Sequence, residues 1–376
     1  MRIGIITLPL HTNYGGILQA YALQRILRQW GYDVETIDKP HRYNIPFWKL
    51  MLLIPLRAYK KYVRKEKEGI FKEWVHNKYY PIISRYTEQF ISNNINRHEC
   101  ENFPIVREGQ YDCLIVGSDQ VWRRKYHKSI ASVYLDFARD WNIKRIAYAV
   151  SFGSDRWEYS DEDTCACKHL IAAFDAVSVR EISGINLCRQ YLGIDATHVL
   201  DPTMLLEKEN YINLFQQKNT GKSEGDLLCY ILDSSKESNE LIKYLESSLD
   251  MTAFSVISKK SDSYKGKDNV QPSVEKWLRG FYDAELVITD SFHACVFSIL
   301  FNKPFVVIEN ESRGIARIES LLQEFGIPNR FVRDKKQILN IAKEPIDYEK
   351  VNMILKERKQ DSLNFLKKHL TSFNHG

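Results

Sequence analysis

Val287-Ile-Thr-Asp-Ser-Phe-His-Ala294 reads as a strand that ends in a polar turn and runs into a helix. Apolar and β-branched residues lead in, Asp290 or Ser291 stands where a helix cap belongs, and His293 falls in the first helical turn. This order places one imidazole at the mouth of an α/β sheet, where open sheets bind their ligands. The same order opens the chain without a histidine. A strand over Arg2–Leu8 leads into a loop over Pro9–Gly15. Leu18, Ala22, Leu23, Ile26, Leu27 and Trp30 then recur at helical spacing, and Gly31 is a helix stop. With a second strand over Asp33–Asp38 this is one βαβ unit, so a parallel sheet is expected.

The alternation continues outward from these two anchors. Strands are predicted at Cys113–Val116, Arg145–Val150, Ala176–Val179 and Thr197–Leu200, with helices near Asp163–Phe174 and Glu181–Leu192. A new series starts at Leu227–Asp233 and runs through Thr252–Ile257, Glu285–Thr289 and Pro304–Ile308. The fold class is therefore α/β, in two halves. The expected domains are residues 1–205, with a helical insertion at about 45–100, and residues 206–345. A final helix near Tyr348–Leu370, within 346–376, is expected to return to the first domain. Lys218–Asp226, polar and carrying Gly221 and Gly225, has the most linker-like composition, although a boundary nearer Asp201 fits as well.

A chain of 376 residues suits two domains of ordinary size. The balance of 53 Lys+Arg against 48 Asp+Glu gives +5, which suits an anionic small substrate or an anionic membrane surface and is too dispersed for nucleic acid. The seven cysteines are irregularly spaced and form no paired CxxC motifs, so reduced thiols and no metal site are expected. Met1-Arg2 runs straight into a strand, so no signal peptide is expected. The most apolar run, Phe47–Leu56, is interrupted by Lys49 and Pro55 and is shorter than the ~18 residues of a membrane span. A cytoplasmic protein is expected, at the inner face of a membrane if the basic and aromatic residues 47–67 rest on lipid. Those residues read equally as a helical hairpin covering the first domain.

Several strand ends carry polar loops. Asn13, Tyr14, Gly15 and Gly16 follow the first strand; two glycines permit close backbone approach, and helix N–H groups attract an anion. A tight packing turn would leave the same pattern, and the loop is neither GxGxxG nor a P-loop. Ser118, Asp119 and Gln120 follow another strand, as do Ser151 and Phe152. Arg180 stands at a strand-to-helix junction, suited to a two-toothed pair with a carboxylate or phosphate, or to an ion pair with a neighbour such as Glu181. Arg313 and Arg317, four apart near a helix start, offer positive charge to a cleft or to solvent. His293 can give or take a proton near neutral pH, or simply pack at a helix start. Cys295 reads as a small buried residue.

Taken together and in order, these pieces resemble the polysaccharide pyruvyl transferase family. The matching segments are Ile3–Leu10, Thr12–Tyr21, Asp112–Trp122, Tyr148–Gly153, Ser178–Gly184, His198–Thr203, Val287–His293 and Phe301–Pro304. The resemblance implies two Rossmann-like domains facing a central cleft, similar to the GT-B architecture. It also implies transfer of a pyruvyl group from phosphoenolpyruvate to a sugar of a bacterial-type polysaccharide or a lipid-linked precursor, closing a cyclic ketal. By resemblance, His293 corresponds to the general acid and Arg180 to a donor-anion contact. Ser291, Phe292 and Arg313 complete the expected donor side, and no cofactor beyond the co-substrate phosphoenolpyruvate is implied. Two positions depart from relatives: Ala294 stands where many have glycine, and Ser291 where some distant ones have arginine. The second cation must then come from elsewhere, with Arg313 the candidate. The rival readings are a glycosyltransferase using a nucleotide-sugar donor and a non-catalytic sugar-binding relative.

Overall fold

In the computed structural model, which describes residues 1–39, 46–64, 70–100, 103, 106–233, 235–258, 270–310 and 314–371, the first half is built around β1 (Arg2–Ile6). This strand is buried along all but its first residue, as expected of a parallel strand covered on both faces. Helix α1 (Tyr14–Gln29) returns the chain to β2 (Asp33–Asp38). The insertion follows as α2 (Phe47–Tyr62), α3 (Lys72–Ile83) and α4 (Arg85–Asn94), and ends in β3 (Arg97–Glu99). β3 corrects the expectation of an all-helical insertion. It is a short edge strand of Arg, His and Glu, with no apolar alternation to betray it, and its pairing with β2 is what makes it a strand. The alternation resumes with β4 (Cys113–Val116), β5 (Lys144–Val150), α5 (Asp161–Ile171), β6 (Ala176–Val179), α6 (Ile182–Leu187) and β7 (Thr197–His198).

The second half contains α7 (Lys208–Gln217), β8 (Leu227–Tyr230), α8 (Lys236–Leu249), β9 (Ala253–Phe254), α9 (Val274–Asp283) and β10 (Leu286–Thr289). It continues with α10 (Phe292–Leu300), β11 (Phe305–Ile308), α11 (Ile315–Glu324), β12 (Phe331–Val332), α12 (Ile338–Lys343) and α13 (Tyr348–Thr371). Two-residue β12 had no usable pattern in the sequence.

Among the described residues the first sheet runs β3-β2-β1-β4-β5-β6-β7 and the second β12-β11-β10-β8-β9, every pair parallel. Each order reverses once, at β1/β4 in the first sheet and at β8/β10 in the second. Such a reversal opens a crevice at the carboxyl ends of the strands. Both crevices fall on one cleft, because the start of α1 meets the start of α10 there.

One apolar core runs through both halves. It joins Ile17, Leu18 and Leu23 of α1 to Trp277 and Phe281 of α9 and Phe297 of α10. Trp277 is its centre: the ring lies 5.4 Å from Tyr14, stacked, 4.5 Å from Phe281 and 5.0 Å from Phe297. Helix α13 crosses back to the first sheet. The Ser362 hydroxyl accepts the Leu200 N–H at 2.9 Å, Lys144 Nζ donates to the His369 carbonyl at 2.7 Å, and Phe365 packs on Tyr148. All seven cysteines are free thiols. No helix among the described residues is long and apolar enough to cross a membrane.

Trp277→Ala should cost about 3–5 kcal/mol, the usual penalty for truncating a buried aromatic side chain. A denaturant titration followed by circular dichroism checks this, and a loss below 1 kcal/mol would contradict the central place of Trp277.

Candidate active site

His293 is the second residue of α10 and is buried. Its ring lies against Gly15 near the start of α1. A Cβ built on Gly15 would fall 2.0 Å from His293 Nδ1, so only glycine permits this approach of the two halves. On the other side, Nε2 stands 3.6 Å from Asp201 Oδ2 and makes no hydrogen bond among the described residues. The neighbouring Tyr14 fastens the contact: its hydroxyl donates to the Pro272 carbonyl at 2.7 Å.

Behind the histidine lies a buried network of charges. Arg180 follows β6, and its Nη1 donates to Asp201 Oδ2 at 2.6 Å while Nη2 donates to Asp119 Oδ1 at 3.2 Å. Asp201 lies just beyond β7. Its Oδ1 accepts the Thr203 hydroxyl at 2.6 Å and the Thr203 N–H at 3.0 Å, and its Oδ2 accepts the Ser118 hydroxyl at 3.5 Å. Asp119 follows β4 in a left-handed conformation, φ 65°, a region that Asp tolerates better than most residues. The preceding Gly117, at φ 151°, lies so close to β5 that a Cβ would meet the Tyr148 carbonyl at 2.0 Å. Arg317, in the first turn of α11, brings Nη1 to 4.0 Å from Asp119 Oδ1. The Phe292 ring lies beneath both guanidiniums, 4.3 Å from that of Arg180 and 5.7 Å from that of Arg317.

Burial alone would raise the pKa of both aspartates, but the cations outweigh it. His293 and Arg180 hold Asp201 far below the ordinary carboxylate range, and Arg180, His293 and Arg317 hold Asp119 below it. Burial and the neighbouring Arg180 push Arg317 down to about 10, so it stays cationic at neutral pH. Glu181 has the opposite character. Burial raises its pKa against the pull of Arg180 and Arg317. Its Oε1 accepts the Ser151 hydroxyl at 2.8 Å and the Phe152 N–H at 3.1 Å. The arrangement offers an imidazole flanked by a carboxylate, two guanidiniums, and the N-termini of α1 and α10, which suits a small polyanion and proton transfer to it.

The residues expected from the sequence divide accordingly. Gly15, Arg180, Phe292, His293 and Asp119 meet at one point. Asn13 sits beside them, its Nδ2 3.5 Å from Asp119 Oδ2, and Gly16 lends its carbonyl to Gln19. Ser118 is buried, its N–H donating to Gln19 Oε1, and belongs to the frame of the site. Gln120 accepts from Arg123 Nη1 at 2.8 Å. The Phe152 ring corrects an expectation: it is turned into the core among Trp122, Trp157 and Tyr159, so only its backbone serves the site. Neither expected cap binds a helix end. Ser291 occupies the N-cap position without a side-chain cap bond, and Asp290 instead accepts the Leu232 N–H and the Asn310 amide. Arg180 is paired with Asp119 and Asp201, not with Glu181, so an incoming anion must compete with two carboxylates for it. Arg313 lies outside the described residues, and Arg317 is the second cation seen at the site. Asp201 was missed as a site residue, although its position just after a strand in His198-Val-Leu-Asp-Pro-Thr203 was a usable signal. Among the described residues no cluster of His, Cys, Asp and Glu has the form of a metal site.

A family model described as polysaccharide pyruvyl transferase matches residues 13–312. No curated protein matches the chain. Among solved structures, Arabidopsis thaliana UGT89C1 complexed with UDP-L-rhamnose is similar, with 8% identity, TM-score 0.50, and coverage of 98% of this chain and 97% of that one. Acinetobacter baumannii MurG is similar at 11% identity and TM-score 0.45, with coverage of 98% and 99%. The UDP-GlcNAc 2-epimerase of Methanocaldococcus jannaschii is similar at 13% identity and TM-score 0.48, with coverage of 92% and 93%. The fold is GT-B-like, two Rossmann-like domains about a cleft.

Because Asp119 and Asp201 have pKa values below those of the unfolded chain, the folded protein binds fewer protons under acid conditions. Their contribution to stability is complete above pH ~4 and is lost as pH falls below that value. Asp201→Asn should therefore flatten the acid limb of a stability-versus-pH curve measured by thermal melting. An unchanged limb would mean that Asp201 is not held charged in this network. Gly15→Ala should abolish activity by displacing the imidazole, while far-UV circular dichroism stays native.

Proposed function

The chain belongs to the polysaccharide pyruvyl transferase family, and from that premise we propose that it moves a pyruvyl group from phosphoenolpyruvate to a sugar, with His293 as the general acid. The sugar belongs to a bacterial-type polysaccharide or a lipid-linked precursor. One observation carries this reading. A buried imidazole stands between the glycine-opened start of α1 and the Asp201 carboxylate, with Arg180 and Arg317 beside it. Phosphoenolpyruvate brings a phosphate and a carboxylate to such cations and helix N-termini.

In the proposed reaction His293 gives a proton to the methylene carbon, which becomes a methyl group and leaves the central carbon electrophilic. A sugar hydroxyl oxygen attacks that carbon, the bond to the phosphate oxygen breaks, and a second hydroxyl closes the ketal. Of the two hydroxyl protons released, one restores the imidazole and the other leaves on phosphate, so atoms and charge balance. Asp201, its Oδ2 3.6 Å from Nε2, offsets the positive charge of the ring. Arg317, whose Nη1 lies 4.0 Å from Asp119 Oδ1, is the cation assigned to the donor. Arg180 holds Asp201 and Asp119 in register and takes part in donor binding only by exchanging one of them. No metal or further cofactor enters these steps.

The rival is a glycosyltransferase that takes a nucleotide-sugar donor in the same cleft. The likeness to a structure holding UDP-L-rhamnose keeps that reading open. Donor identity separates the two: phosphate released from phosphoenolpyruvate with a mass gain on the sugar, or nucleotide released from a nucleotide sugar. A panel of lipid-linked and nitrophenyl glycosides read by mass spectrometry decides it. With the correct acceptor, His293→Ala should lose roughly 10²–10⁴-fold in turnover with the fold intact, and near-native turnover would remove His293 from the role of acid. Arg317→Met should raise the KM for phosphoenolpyruvate roughly tenfold, and an unchanged KM would free Arg317 from donor binding.

A further inference from the structure

We propose that α2 and α3 form a docking surface for the interface of an anionic lipid bilayer. Along α2 and its end, Trp48, Leu52, Leu56, Tyr59 and Tyr62 recur every three or four residues, which aligns them in one stripe. All five face solvent: Trp48 is 63%, Leu52 69%, Leu56 53%, Tyr59 53% and Tyr62 72% exposed. Single exposed apolar residues are ordinary, but a stripe along a whole helix marks a contact surface.

The charges select the occupant. Helix α2 contains Lys49, Arg57, Lys60 and Lys61 and no acidic residue. Arg57 is used internally: its two terminal nitrogens donate to the Glu73 carboxylate of α3, both at 2.6 Å, bracing the two helices. Glu73 is the single acid of α3, so the brace takes up its charge. Lys49, Lys61 and Arg64 are exposed beside the apolar stripe. On α3, Lys78 Nζ lies 5.0 Å over the exposed Trp74 ring. Exposed aromatics flanked by basic residues, with the one acid of these two helices spent on Arg57, fit the headgroup layer of an anionic membrane. A helix of 16 residues is about 24 Å long. It lies in the plane of the interface, since no described helix is long and apolar enough to cross.

The helix pair is also joined to the cleft. The Ile83 carbonyl at the end of α3 accepts the Gln271 N–H at 2.9 Å, and the next residue, Pro272, accepts the Tyr14 hydroxyl. Tyr14 adjoins Gly15, which lies against His293. A membrane bound to α2 would therefore deliver a lipid-linked sugar beside the catalytic cleft. That consequence rests on the pyruvyl-transfer reading; the membrane contact itself does not.

The test is sedimentation of the full chain with vesicles of phosphatidylcholine, with and without phosphatidylglycerol. The chain should pellet with the mixed vesicles at low salt, pellet far less with phosphatidylcholine alone, and release as salt is raised. Leu52→Glu/Leu56→Glu should weaken binding roughly tenfold or more. Lys60→Gln/Lys61→Gln should weaken it roughly fivefold per charge removed. Native circular dichroism spectra of both variants exclude misfolding as the cause. No pelleting at low salt, equal pelleting on neutral vesicles, or full binding by Leu52→Glu/Leu56→Glu would each overturn the proposal. So would a lipid-free dimer that this variant dissolves, which would assign the face to a second copy. The assay uses no turnover, so its failure leaves the proposed reaction standing, and failure of phosphoenolpyruvate turnover leaves the membrane contact standing.

Discussion

Arg180, held between Asp119 and Asp201, is the constraint on which the site depends. Charges taken out of water are costly, and the cost is offset only if each has a close partner. Here one guanidinium serves two carboxylates that come from the ends of different strands, after β4 and after β7. The ion pair therefore fixes the spacing of three loops of the first sheet at once. Arg317 then adds a fourth element from the second half, and Phe292 gives both guanidiniums an aromatic face. Removing one member would leave buried charge uncompensated.

The histidine stands at the edge of this network and completes it from the other half. Each sheet of a GT-B-like protein brings a crevice to the cleft, and here the two crevices meet through Gly15 and His293. A shared aromatic core, centred on Trp277 against Tyr14, holds the halves in that relation. The imidazole is placed by the same contact that closes the core. Family membership extends over residues 13–312 and includes both sides of this contact.

Much of the fold was legible in the residues. Strands such as Asp33–Asp38, Cys113–Val116 and Ala176–Val179 lie where the apolar pattern placed them. Buried parallel strands write near-continuous apolar runs, and helices between them write a three-to-four spacing. Arg97–Glu99 and Phe331–Val332 escaped because short edge strands are made by backbone pairing, which needs no apolar signal. The loops of the site were legible as strand ends, yet the directions of their side chains were not. Phe152 and Asp119 occupy equivalent loops, and one ring turns into the core while the other side chain turns to Arg180.

The α/β pattern, its two halves and a histidine at a strand end are written in the residues, because local periodicity and turn chemistry act within a few positions. The packing of the chain set Arg180 against Asp119 and Asp201 and brought Gly15 to the imidazole. The same packing turned the apolar stripe of α2 outward. These depend on contacts between residues as far apart as Gly15 and His293, and on the low dielectric of a buried site, where charges must find partners. No local pattern encodes which partner a buried charge will meet; the packing of two sheets does.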